Sequence, residues 1–263
     1  MDPLTGAIVG AAGSAAKETA TSGLLRRLVG PLADEVGLSW AAGYRQHNAE
    51  KIAQKAARKA GLEGMASPGA IHARVAHRVL EDGSYVNDDV MQEYLAGLLA
   101  GSRTERGNDD RAAYYVDLIA TLPAAQVRLH HAIYSALATA GQGDHYGRED
   151  FLETHALIVP LSAAAEVAEV PADVDPQDAV AEALLGLYRE GLISTVGVAP
   201  SKTLGLGGAE PGVVALATPT QMGCMLALWG HAVRDADVAR LPETVPCDFD
   251  PPGPDFAVWR FRG

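Results

Sequence analysis

The sequence predicts a mainly α protein with one short β-hairpin near residues 192–217, and three observations carry that expectation. Alanine and leucine are abundant, while aromatic residues make up only 6% of the 263 residues, a composition that favours helices over sheets. Apolar side chains recur at helical spacing through most of residues 17–140, as they do in helices that bury one face. After residue 190 the pattern becomes an apolar run, a glycine-rich loop and a second apolar run, which reads as a hairpin.

Taken in order, residues 1–21 form a Gly/Ala leader. Gly6, Gly10 and Gly13 make a small-residue stripe in it. Such a stripe permits close helix approach or contact with a membrane; the alternative is a frayed segment. Its apolar part is shorter than the roughly 20 residues a bilayer-spanning helix needs. Residues 17–29 read as a weak helix, broken at Gly30-Pro31. From Leu32 to about Ala60 a long helix is expected, with Leu32, Val36, Trp40, Ala41 and Tyr44 as its stripe and Gly61 and Gly64 as its stop. Ser67 is the expected cap of the next helix, which runs to Gly83 with Ile71, Val75, Val79 and Leu80 inward.

Asn87 or Asp88 caps a helix through Ala100 that buries Val90, Met91, Tyr94, Leu95, Leu98 and Leu99. A polar loop (101–109), a short helix (Tyr114 to Leu122) and a helix from Ala124 to about Thr139 follow. Residues 140–150 read as a linker, and Phe151 to Val170 as helical or mixed. Pro171 to Pro176 is a turn, and Gln177 to Glu190 an amphipathic helix with Val180, Leu184, Leu187 and Tyr188 on one side. The strands Leu192–Val198 and Val213–Ala217 come next, then a helix over 219–234 capped by Thr218. Helix, strand, loop, strand, helix is the order of a winged-helix-like module. Four segments result: the leader 1–21, a helical domain 22–140, the winged-helix-like module 141–241, and a Pro-rich, aromatic tail 242–263 that is expected to pack on the body.

The formal charge is −12, a field that repels nucleic acid and anionic membranes unless a local patch overrides it. The distribution is uneven. Residues 1–78 hold ten Lys/Arg against six Asp/Glu; residues 79–263 hold eleven against 27. The basic excess gathers on the long helix, at Arg45, Lys51, Lys55, Arg58 and Lys59. Three readings fit: a solvated face, docking onto the acidic remainder of this chain or a neighbour, or contact with lipid or nucleic acid. Arg45 and Asn48, one turn apart, have two readings: they meet the Glu35 region or the Asp88–Asp89 turn of a packed neighbour, or they are simply exposed on the surface. The helix 177–190 carries Asp178, Glu182 and Glu190 against Arg189, so DNA binding through the C-terminal module is not expected.

Catalytic and metal-ligating patterns are missing from the sequence, so no cofactor and no metal is expected. Cys224 and Cys247 lie far apart, which excludes a disulfide-rich scaffold and a cysteine-based zinc site. His72 and His77 are five residues apart, where a helical zinc pair wants four. Asp88, Asp89 and Glu93 share one turn and could hold a cation, but the first two suit a helix N-terminus better. The glycines of Gly205-Leu206-Gly207-Gly208 precede a strand rather than a helix, so they read as a wing tip and not a phosphate cradle.

Three stretches resemble the abortive-infection Abi-alpha family. They are Gly30-Pro31-Leu32-Ala33-Asp34-Glu35-Val36-Gly37 running into Tyr44-Arg45-Gln46-His47-Asn48; Asp88-Asp89 followed by Gln92, Tyr94-Ala96 and Leu98-Leu99-Ala100; and Tyr115-Val116 through Leu122-Pro123. Tyr94 stands where the family has Trp, and Ala124 replaces its acidic step. The resemblance covers about residues 22–140 and implies a role in bacterial defence against phage, without supplying a reaction. The expected function is a non-enzymatic phage-defence protein that self-associates and recognises a phage or host protein. A peripheral membrane effector and a nucleic-acid-binding regulator are the alternatives. Its expected location is the cytoplasm, with membrane association left open by the leader. Arg45, Asn48, Lys51, Lys55, Arg58 and Lys59 are the expected partner or anionic-surface site.

Overall fold

The computed structural model describes residues 43–61, 69–141, 152, 155–203, 212–234, 241 and 258–260. The leader, the helix expected over 17–29, the Glu35 region, the Ser67 cap, the linker and the wing tip lie outside the described residues. Among the described residues the chain is mainly α, with a small antiparallel sheet. The helices are α1 (Gly43–Lys59), α2 (Ala73–Gly83), α3 (Asp89–Gly101), α4 (Ala112–Thr121), α5 (Ala124–Gly141), α6 (Leu161–Ala168), α7 (Pro176–Arg189) and α8 (Gln221–Gly230). The strands are β1 (His155–Pro160), β2 (Ile193–Pro200), β3 (Val213–Pro219) and β4 (Val258–Arg260).

Helix α3 is the axis of the molecule. Every residue from Val90 to Gly101 is buried, as befits a helix covered on all sides. α1, α2 and α4 pack on one part of it, α5 and α8 on another. Asp88 starts it, accepting a hydrogen bond from the Met91 N–H at 2.8 Å and so satisfying one of the free donors of the first turn. Two glycines let α8 come close: a Cβ on Gly97 would fall on the Gly230 carbonyl, and one on Gly230 would sit 2.8 Å from the Tyr94 ring.

The sheet order is β2-β3-β1-β4, antiparallel throughout. β2 and β3 form the expected hairpin. β1 joins β3 in the register Ile158↔Leu216, and the tail returns as β4 with Leu157↔Val258. β1 falls in the segment read as helical or mixed. Its residues His155 to Val159 are all buried, so they form a continuous apolar run, and such a run does not distinguish strand from helix.

Two helix starts and one inward-facing residue differ from expectation. α2 starts at Ala73 behind His72, whose Nδ1 accepts from the Arg74 N–H at 3.2 Å. Upstream, Ala70 instead bridges Thr104. α8 is capped by Thr220, which accepts from the Gly223 N–H at 3.1 Å, because β3 runs on to Pro219. Tyr188, placed on the inner side of α7, is 51% exposed, whereas Val180, Leu184 and Leu187 are buried. The buried side chains form one contiguous core from Ala49 to Leu241, so it extends across residue 141.

Candidate functional site: a basic cleft anchored on a buried carboxylate

Lys55, Arg58 and Lys59 lie at i, i+3 and i+4 on α1, one face of a helix. They converge on Glu93, whose side chain is fully buried. Oε1 accepts from Lys55 Nζ at 2.7 Å and from Arg58 Nη2 at 2.9 Å. Lys59 Nζ lies 2.7 Å from Oε2, an ion-pair distance without hydrogen-bond directionality. The Lys59 side chain is only 3% exposed, against 40% for Arg58. A buried carboxylate is tolerable only when paired in this way. Of the three readings of this basic helix, docking onto an acidic residue of the same chain describes Lys55, Arg58 and Lys59; Lys51 is half-buried.

Arg45 and Asn48 also face the protein. Arg45 Nη2 donates to Glu81 Oε1 at 2.9 Å and Nε to Ser84 Oγ at 3.0 Å. Its guanidinium stacks 4.3 Å from the Tyr85 ring centre. The buried Asn48 donates through Nδ2 to the Ser84 carbonyl at 3.1 Å. Their partner is thus the end of α2 and the turn after it, not the Asp88–Asp89 turn. Asp88 instead pairs with Arg128 at 2.6 Å, which also reaches Glu169 at 2.8 Å. Asp88 and Glu93 therefore face different partners, and the cation reading of that turn fails. No three His, Cys, Asp or Glu side chains converge as metal ligands among the described residues.

Lys59 also lines a cleft of about 650 Å³ where α1 and α3 end, beside the loop 103–108 and the residues after α8. Arg103, Arg106 and Arg234 line it too, against one carboxylate, Glu105. The loop is fixed by its own chemistry. Thr104 pairs with Ala70 through backbone hydrogen bonds of 2.7 and 3.0 Å, and its Oγ1 accepts from the Gly107 N–H at 2.9 Å. Gly107 has φ +62°, a conformation that glycine adopts without strain. Arg103 Nη2 donates to the Gly69 carbonyl at 3.2 Å, and Arg234 Nη1 to the Arg103 carbonyl at 3.1 Å. Arg106 and Arg234 are exposed. The cleft is a preorganised positive concavity on an acidic chain, a geometry that concentrates anions.

A second polar cluster is sealed inside. The Tyr94 hydroxyl meets His130 Nδ1 at 2.6 Å, and His130 Nε2 meets the Gly223 carbonyl at 3.1 Å. Tyr134 donates to the Leu192 carbonyl and accepts from the Thr220 N–H at 3.0 Å. Burial pushes His130 down to about 3 and the Cys224 thiol up to about 12, so the imidazole stays neutral and the thiol stays protonated. Both tyrosines are pushed up for the same reason. This cluster ties α3, α5, the residue before β2 and α8 together.

Sequence reasoning missed Arg103, Arg106 and Arg234, which are separated along the chain and gather only in the fold. Glu93 did carry a signal: it is a lone acid inside the apolar run Val90–Ala100, opposite a basic face with nothing to neutralise it. No helix among the described residues is long and apolar enough to cross a membrane. No protein-family model, curated protein or solved structure matches the chain, and the likeness to the Abi-alpha family rests on the residues quoted above.

Proposed function

We propose that the chain is a non-enzymatic recognition protein of the phage-defence type, cytoplasmic and self-associating, that engages an acidic protein segment. The observation that carries this reading is the basic cleft: Arg103, Arg106 and Arg234 line it against Glu105, beside a Lys59 already paired with Glu93, on a chain of net charge −12. The defence context comes from the resemblance over residues 22–140. A protein segment fits better than nucleic acid because no aromatic side chain lines the cleft among the described residues, whereas single-strand binders stack bases on aromatic platforms. The global charge also opposes a polyphosphate backbone.

The test is a phage challenge of cells expressing the chain or its Arg106→Glu/Arg234→Glu variant. Both arginines are exposed and the one bond lost among the described residues, from Arg234 to the Arg103 carbonyl, is at the surface, so circular dichroism should show the fold kept while protection is lost. Full protection by the variant would refute the reading. Turnover of nucleotides or nucleic acid by the purified protein would refute its non-enzymatic part.

A further inference from the structure

We infer that the occupant of the basic cleft is a second copy of this chain, entering with its 171–178 turn. The inference rests on the cleft-recognition reading above and names the partner.

The turn is built to be presented. Every residue from 171 to 178 is exposed. It carries Asp173, Asp175 and Asp178 and no Lys or Arg. Pro171 and Pro176 restrict it, the Val174 N–H bonds the Pro171 carbonyl at 3.0 Å, and Asp175 caps α7 by accepting from the Gln177 N–H at 2.7 Å. A segment already held in one conformation loses little entropy on docking. Val174 stands between two of the aspartates and is 42% exposed, an apolar residue with carboxylates on either side.

The cleft offers the complement. Small apolar residues, Ala100 and Ala232, line it together with Lys59, Arg103, Arg106 and Arg234. A valine flanked by carboxylates suits a small apolar surface flanked by cations, with Arg106 and Arg234 at the accessible side. Residues 171–178 of the same copy are not in the cleft lining; α6 and α7, which flank that turn, pack on each other and on α5. A second chain must therefore supply the turn. The two patches are different surfaces, so the contact is head-to-tail and propagates into a ring or an open chain. On α7, Leu185 and Tyr188 are 54% and 51% exposed and three residues apart, giving the same acidic element further apolar surface to bury.

The experiment is sedimentation velocity on the full chain, from micromolar to near-millimolar protein, at low salt and at about 0.5 M NaCl, where charge attraction between exposed groups is screened within a few ångströms. Two variants accompany it: a cleft variant, Arg106→Glu/Arg234→Glu, and a turn variant, Asp173→Arg/Asp178→Arg, each checked by circular dichroism. The wild type should associate at low salt and fall apart at high salt. Each variant alone should associate about a hundredfold more weakly, the scale of losing close charge pairs. Mixed together they should form a one-to-one complex, because the turn variant keeps its cleft and the cleft variant keeps its turn. A monomeric wild type, a variant that associates like the wild type, or a mixture that stays monomeric would each overturn the inference. Phage challenge separates the two levels. If the wild type is monomeric but the cleft variant loses protection, the second copy is the wrong occupant and the recognition reading stands. If association behaves as expected but both variants protect fully, the second copy is right and the recognition reading falls.

Discussion

His130 should make the protein lose stability on acidification, by an amount that its surroundings fix. The Gly223 carbonyl only accepts, so Nε2 carries the ring proton; Nδ1 then accepts from the Tyr94 hydroxyl. Both ring nitrogens are satisfied by the neutral imidazole, and a second proton, on Nδ1, would have to reverse the Tyr94 bond and place a charge in a fully buried site. The titratable groups facing it are Tyr94 from α3, His131 and Tyr134 from α5, and Cys224 at the start of α8, near Tyr134. None of them supplies a negative charge. Burial therefore dominates and takes the pKa down to about 3, against about 6.5 in an unfolded chain. The folded pKa is the lower one, so the stability is fully present above about pH 6.5 and is lost as the pH falls towards 3. At about 1.4 kcal/mol per pH unit, the unfolded state gains about 2 kcal/mol between pH 7.5 and pH 5. His130→Gln can keep both hydrogen bonds without titrating. Urea unfolding of both proteins at the two pH values isolates the effect, because the contribution of every other group cancels in the difference. The variant should be the less stable at pH 7.5, by its packing defect, and the gap should shrink by about 2 kcal/mol at pH 5. An unchanged gap would refute the neutral, doubly bonded histidine.

Two further outcomes follow from the packing around α3. Glu93→Gln should cost about 3–5 kcal/mol in denaturant unfolding, because it leaves the ammonium groups of Lys55 and the nearly buried Lys59 without their carboxylate; the combined change Glu93→Met/Lys59→Met should recover part of that loss, and no recovery would mean the cation is not the source of it. Gly97→Ala should destabilise by about 3 kcal/mol, the upper end for overpacking, since the added methyl would fall on the Gly230 carbonyl and backbone cannot rotate away as a side chain can; an unchanged melting temperature would show that α3 and α8 do not cross at these glycines.

The elements were legible where a segment has one buried and one wet face, or where caps and turn residues mark its ends. The α2 stripe Val75, Val79 and Leu80 is buried as spaced, Asp88 caps α3, and the hairpin β2–β3 follows the strand-loop-strand pattern. β1 was not legible, because burial along its whole length erases the alternation that marks a strand. β4 pairs with a strand about a hundred residues earlier, a contact that no local pattern announces.

The basic helix shows why charge counts along a chain do not locate a site. Five cations within fifteen residues suggest a solvated or anion-seeking face, and the spacing of Lys55, Arg58 and Lys59 puts them on one side of α1. Spacing alone does not say which side faces the core. That is set by Glu93, 34 residues beyond Lys59, which becomes a partner only when α3 packs against α1. The energetics then decide the matter. A carboxylate buried at Glu93 without cations costs several kcal/mol, so the alanine face of α1 and its basic corner are buried together. The consequence for function is specific. Reversing Lys51, Lys55, Arg58 and Lys59 together would remove the partners of a buried carboxylate and place more carboxylates beside it, so loss of protection in that variant would report unfolding. Arg106 and Arg234 are exposed at the cleft and away from the Glu93 ion pairs, and their reversal tests recognition with the core left intact.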